Sequence, residues 1–121
     1  MLPLTQESVE TMSETETNEA YADDVPLTHL FGESARTKII AALVGNKNRD
    51  LSASELARQA GIARPTVYEH IDDLAEIGAV DVDRETKQGK RYRLSDGDLG
   101  ESIDNTAGYA LRNLLEAEGH L

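Results

Sequence analysis

The chain of 121 residues is long enough for one compact domain and a tail, and its low aromatic content of 4% predicts a core of aliphatic residues. It has a formal net charge of −11 and no cysteine, which excludes disulfides, thiolate metal sites and thiol nucleophiles. Neither a transmembrane run nor a secretory signal pattern is found, so we expect no membrane association and a cytoplasmic location.

The acidic charge lies mainly at the two ends of the chain. Residues 1–33 hold eight acids and no Lys or Arg, residues 34–94 hold nine acids and eleven bases, and residues 95–121 hold six acids and one base. An acid-rich, lysine-poor composition is typical of proteins that stay dissolved where concentrated salt screens charge repulsion. We therefore expect a halophilic source.

The first region lacks hydrophobic periodicity. Residues 1–26 are rich in Glu, Thr and Ser and predict a mobile acidic tail. Leu27, Leu30 and Phe31 form the first apolar cluster and predict a hinge between tail and core. A helix is predicted over Gly32–Gly45. Its apolar residues recur at helical spacing: Ala35, Ile39, Ala42 and Leu43.

The second predicted helix has a clear start. Ser52 and Glu55 have the spacing of a capping box, and Leu51 and Leu56 that of a hydrophobic staple. This helix is expected to stop at Gly61, where glycine tolerates the left-handed turn conformation.

A third helix is predicted over residues 64–77, since Pro65 suits a first helical turn. Its apolar stripe consists of Val67, Ile71, Leu74 and Ile77. The apolar period then changes from 3.6 to 2, which predicts a β-hairpin with its turn around Gln88 and Gly89. A last helix is expected after Ser95 or Asp96.

The order of helix, helix, helix, hairpin and helix predicts a mainly α fold of the winged helix-turn-helix type. It has a three-helix core plus a wing, over residues 27–95, and a C-terminal dimerisation helix within residues 96–121. Three stretches carry a family resemblance: "GESARTKIIAALVGN", "LSASELARQAGIARPTVYEHIDDLAEIGAV" and "GKRYRLS". They resemble winged helix-turn-helix transcription regulators of archaea, especially halophiles, of the broad ArsR/MarR-like type. The resemblance covers roughly residues 31–95.

The resemblance implies double-stranded DNA as the partner, with helix 64–77 in the major groove and wing 84–93 on the backbone or minor groove. Arg64 suits a guanine edge or a phosphate, and Tyr68 offers a ring and a hydroxyl. The expected DNA-binding residues are Ser52, Ser54, Arg64, Pro65, Thr66, Tyr68, Glu69, Arg84, Lys87, Lys90 and Arg91.

The C-terminal helix has an apolar seam at nearly coiled-coil spacing, which favours a homodimer. The expected interface residues are Leu99, Ile103, Ala107, Ala110, Leu111 and Leu114. The alternative is a helix that folds back on its own domain.

Other functions receive less support from the residues. The three histidines are scattered, and no catalytic triad order or phosphate-binding glycine loop is present, so we expect no metal, no cofactor and no enzyme activity. The acidic residues Asp72, Asp73 and Glu76 restrict DNA contact to the first two turns of the reading helix. They favour the main alternative, a winged helix that binds proteins of the transcription machinery. An architectural nucleoid protein is a third reading, and the net charge opposes it.

Overall fold

The computed structural model describes residues 26–87 and 89–119. Their helices are α1 (Pro26–Phe31), α2 (Ala35–Gly45), α3 (Ala53–Ala60), α4 (Arg64–Glu76) and α5 (Asp98–Ala117). Strands β1 (Val80–Thr86) and β2 (Gly89–Leu94) form the antiparallel hairpin between α4 and α5. The predicted order from α2 to α5 is confirmed, and so is the mainly helical fold with a small hairpin. Apart from Pro26, the predicted acidic tail lies outside the described residues, as do Gln88 and His120.

The predicted hinge at residues 27–31 is wrong, because this segment forms helix α1. Leu27 is buried and packs with Ala41 of α2 and Ala107 of α5 in a small second cluster. Leu30 and Phe31 stay exposed. Three apolar residues are too few to show a helical period, so the contact with α5 defines this helix rather than its own pattern.

Helix α2 begins later than expected, with Ser34 as its N-cap, and packs on two sides. Ile39 and Leu43 are fully buried in the main core, whereas Ala41 faces α1 and α5. Helix α2 therefore has buried apolar residues on two sides, one facing the main core and the other facing α1 and α5.

Helix α3 has the predicted capping box. The Ser52 hydroxyl accepts a hydrogen bond from the Glu55 backbone N–H at 3.1 Å, and the Glu55 carboxylate accepts one from the Ser52 N–H at 2.9 Å. At its end Gly61 has φ 74°, the left-handed conformation expected for the turn. The turn is closed by the N–H groups of Gly61 and Ile62, which both donate to the Ala57 carbonyl.

Helix α4 buries Val67, Ile71 and Leu74 as predicted. Ile77 was expected to continue this stripe, and that expectation is wrong. The helix ends at Glu76, Ile77 is the C-cap, and its side chain is 63% exposed. The chain then leaves the helical path at Gly78, so the last apolar position no longer faces the core.

The hairpin pairs Val80 with Leu94 and Val82 with Tyr92. Leu51, just before α3, exchanges two backbone hydrogen bonds of 2.8 Å with Tyr92. This bridge attaches the start of α3 to the wing. Leu51, Tyr92 and Leu94 are all buried in the main core.

Helix α5 packs back on α1 and α2 through Ile103 and Ala107. The seam prediction is therefore corrected for Ala107, which is buried within its own chain, and Ile103 is partly covered there. Leu99 and Leu111 remain 40% and 45% exposed, and Ala110 and Leu114 are half-buried. Among the described residues, no helix has the length and apolar content needed to cross a membrane.

Candidate nucleic-acid interface

An open groove of about 440 Å³ lies where the first turns of α3 and α4 meet the wing. Its lining residues are Ser52, Ala53, Ser54, Arg64, Tyr68, Gly89, Lys90 and Tyr92. Five of the eleven predicted DNA-binding residues thus line one concavity, although they come from three separate parts of the sequence. The turn at Gly61 and the bridge between Leu51 and Tyr92 hold these parts together.

Arg64 and Ser54 are joined directly at this groove. Arg64 Nη1 donates a hydrogen bond to Ser54 Oγ at 2.7 Å, across ten residues of sequence. Arg64 is the first residue of α4, and Ser54 lies in the first turn of α3. Tyr68, one helical turn after Arg64, is 54% exposed. The bond therefore ties together the openings of both helices of the helix-turn-helix.

The other residues predicted on the reading helix lie beside the groove and do not line it. Pro65 and Glu69 are exposed, and Thr66 is half-buried. Glu69 Oε1 lies 4.0 Å from His70 Nε2. Pro65, Thr66 and Glu69 belong to the first two turns of α4, before the acidic residues Asp72, Asp73 and Glu76.

Tyr92 was not among the predicted site residues, yet it contributes to the wall of the groove. It is 2% exposed, and burial raises the pKa of its phenol, with smaller effects in the same direction from Tyr68 and Asp72. The hydroxyl therefore stays protonated. The apolar period of two predicts the hairpin but does not indicate that Tyr92 reaches the groove.

Exposed bases of the groove and wing form no ion pair with a carboxylate among the described residues. Within the described residues, no ion pair involves Arg64, Arg84 or Lys90. Lys87 is likewise exposed at the hairpin turn. A base without an ion pair can meet a phosphate without first leaving a carboxylate of its own chain.

Arg91 is placed differently from the other wing bases. Its Nη1 lies 3.5 Å from the Glu55 carboxylate, and its Nη2 donates to the Asp50 carbonyl at 3.1 Å. The predicted DNA contact of Arg91 is therefore revised, because its half-buried guanidinium already has partners in the chain. It fastens the wing to the start of α3.

Glu55 links the α3 cap to this wing contact. The hydrogen bond from the Ser52 backbone N–H, followed by the nearby charge of Arg91, holds the pKa of the Glu55 carboxyl below its ordinary value. The carboxylate is ionised at neutral pH, and it supports the wing and the helix start together.

Three bases outside the groove form ion pairs with carboxylates, unlike Arg64 and Lys90. Arg36 contacts Asp73 at 2.7 Å and donates to His70 Nδ1 at 3.1 Å. Lys47 contacts Asp104 at 2.7 Å. Arg93 lies within 4.0 Å of the carboxylates of Asp50, Asp81 and Asp96. No group of three or more His, Asp or Glu side chains within the described ranges is arranged to hold a metal.

Comparisons with known proteins agree with this architecture. Residues 31–83 match the family model described as a helix-turn-helix domain. The crystal structure of apo (heme-free) PefR is similar, with a TM-score of 0.50 and 15% sequence identity over 84% of this chain and 82% of that chain. No curated protein sequence matches significantly. The fold is a winged helix-turn-helix.

Proposed function

We propose that this protein binds double-stranded DNA sequence-specifically as a dimeric transcription regulator. The observation that carries the proposal is the groove, where Arg64, Tyr68 and Lys90 converge beside the first turn of α4. In this arrangement the first two turns of α4 enter the major groove, and the wing lies on the backbone or in the minor groove. The helix-turn-helix match over residues 31–83 supports the same function.

The proposed dimer uses the face made by α1 and α5. Phe31, Leu99 and Leu111 are 64%, 40% and 45% exposed there. Two apolar grooves of about 230 and 220 Å³ flank the buried Leu27 on this face. A second copy would cover these side chains and present two reading helices to two half-sites. One winged domain alone contacts few base pairs, so pairing raises both affinity and selectivity.

We also infer that the protein works in a salt-rich cytoplasm, as its composition predicts. The chain has 23 acids against 12 bases. Concentrated salt screens the repulsion between this excess and DNA, since the Debye length falls to about 3 Å at 1 M. The few unpaired bases at the groove can then act at short range.

The test is selection of duplexes from a random pool, followed by mobility shifts with the selected and a shuffled sequence. We expect the full chain to prefer the selected duplex strongly. Equal binding to both duplexes would contradict sequence-specific regulation and favour an architectural role. No binding to either duplex, from low to molar KCl, would contradict DNA binding itself.

The second candidate function is a protein-interaction module. Ile77 is 63% exposed at the end of α4, beside the acidic residues Asp73 and Glu76. A partner with basic and apolar residues would suit this surface. A protein-interaction function predicts that Ile77→Ser impairs partner binding and leaves DNA binding unchanged. We expect Tyr68→Ala, in contrast, to impair DNA binding.

A further inference from the structure

The groove indicates that different residues of the reading helix contact phosphates and base edges. The sequence left open which of the two Arg64 contacts. We propose that Arg64, held by Ser54, binds a DNA phosphate together with Lys90, and that base edges are read by residues further along α4. This inference rests on the proposed DNA-binding function and adds the role of one residue to it.

The first argument is geometric. Arg64 Nη1 is engaged by Ser54 Oγ at 2.7 Å, so the guanidinium lies towards the first turn of α3. A bidentate contact with a guanine edge takes two donors of the guanidinium pointed into the major groove. In helix-turn-helix complexes the first helix of the unit crosses the DNA backbone. A guanidinium bound to that helix therefore lies where phosphates pass.

The second argument is chemical. The groove combines the guanidinium of Arg64, the ammonium of Lys90 and the hydroxyls of Ser52 and Ser54. Guanidinium and ammonium groups only donate, and hydroxyls can donate as well. No carboxylate forms an ion pair with either base within the described part of the chain. A set of hydrogen-bond donors without acidic groups fits a phosphodiester, because its non-bridging oxygens only accept hydrogen bonds.

The third argument concerns what remains for base reading. Thr66 and Tyr68 follow Arg64 on the same two turns, and no hydrogen bond within the described residues occupies the Tyr68 hydroxyl. Tyr68 is 54% exposed, which leaves its ring and hydroxyl free for a base edge. Phosphate binding by Arg64 would set the depth and register of α4, and Tyr68 would contribute selectivity.

The experiment measures affinity of the full chain for the selected and the shuffled duplex across a KCl series. Arg64→Ala should weaken both to a similar extent, by roughly ten- to a hundredfold, as expected when a charged hydrogen bond is lost. The slope of log affinity against log salt should become less negative by about one. Arg64→Lys should keep most of the affinity, and Ser54→Ala should reduce both affinities by a smaller, equal factor.

Two control variants sharpen the result. Arg112→Ala removes one exposed positive charge on α5, outside the groove, and should change neither the ratio of affinities nor the slope by a comparable amount. Tyr68→Ala should lower affinity for the selected duplex more than for the shuffled one. Circular dichroism checks that every variant keeps its helical content.

The outcomes separate the inference from the function it rests on. If Arg64→Ala and Arg64→Lys both abolish the preference for the selected duplex while binding to the shuffled one is unchanged, Arg64 reads a base and the inference is wrong. The DNA-binding function would then still stand. If the parent binds neither duplex, the proposed function fails, and the inference fails with it.

Discussion

The groove face and the α1–α5 face both expose residues that folding of one chain leaves uncovered, but the residue types are opposite. The groove face presents hydroxyls and unpaired bases, including Ser54, Arg64 and Lys90. The α1–α5 face presents Phe31 and Leu111, with apolar grooves between the helices. The first surface suits a polyanion, and the second suits an apolar partner such as another copy of itself.

The comparison also shows why net charge is a poor guide to this protein. Arg36 and Lys47, which lie away from the groove, are paired with carboxylates. Arg64 and Lys90 form no ion pair within the described residues. A chain of charge −11 can therefore keep a small local positive surface at the groove proposed to bind DNA.

The largest expected effect concerns the apolar α1–α5 face. Leu111→Glu places a charge in the proposed dimer interface, where an unpaired buried charge costs about 3 kcal/mol or more. Dimerisation should weaken by more than a hundredfold, as measured by light scattering over a concentration series. Asn113→Glu, an exposed change on the same helix, is the matched control and should leave dimerisation nearly unchanged. A parent that is monomeric at micromolar concentration would contradict the proposed dimer directly.

The next effect concerns the joint between the two faces, where the chain passes from the wing into α5. A Cβ at Gly100 would lie 1.9 Å from the Ser95 carbonyl oxygen, which is backbone and cannot turn aside. Gly100→Ala should therefore destabilise the fold by about 1–3 kcal/mol, the usual cost of overpacking. Gly108→Ala, also in α5, meets nothing within 4 Å and should stabilise by about 0.5–1 kcal/mol. Urea unfolding distinguishes the two, and equal stabilities would contradict the close approach of Ser95 to α5.

Much of the groove side was predictable because its signals are local. The capping box of Ser52 and Glu55, the turn at Gly61 and the stripe of Val67 and Ile71 each depend on residues within one or two turns. Local signals are enough to define a helix-turn-helix. The alternating apolar residues then predicted the wing.

What the sequence missed depends on contacts between distant segments. Helix α1 is defined by packing on α5, some eighty residues away in the chain, as Leu27 and Ala107 show. Arg91 lies in the wing, where the sequence predicts a DNA contact, but it contacts Glu55 and Asp50. The Arg64–Ser54 bond likewise required the angle between two helices, which periodicity alone does not specify.

A smaller effect tests whether the acidic excess opposes the groove. Residues 1–25 hold seven acids and no Lys or Arg, and removing them should strengthen DNA binding several-fold at low salt. At molar KCl the truncated and full chains should bind alike, since repulsion is screened beyond about 3 Å. The measurement is the slope of log affinity against log salt for both chains. Identical, steeply negative slopes would mean that the acidic segment has no part in how the protein meets DNA.

The smallest effect concerns how the groove is held together. The pKa of Glu55 is lowered in the folded chain, mainly by the Ser52 N–H and also by Arg91, so ionised Glu55 stabilises the fold. This contribution is present above the ordinary pKa of the carboxyl and is lost as the pH falls through the lower, folded value. Glu55→Gln can keep the capping hydrogen bond but removes the charge facing Arg91.

We therefore expect Glu55→Gln to cost about 0.5 kcal/mol or less at neutral pH, because the ion pair is partly exposed to solvent. The difference from the parent should shrink as acid protonates Glu55, and urea unfolding from pH 7 to below 4 measures it. Glu76→Gln is the control, since Glu76 is exposed and forms no ion pair in the described part of the chain. A constant difference at every pH would mean that the charge of Glu55 does not hold the wing. Its role would then be limited to capping α3, and the wing would be held at the start of α3 by the Arg91–Asp50 hydrogen bond and the Leu51–Tyr92 bridge.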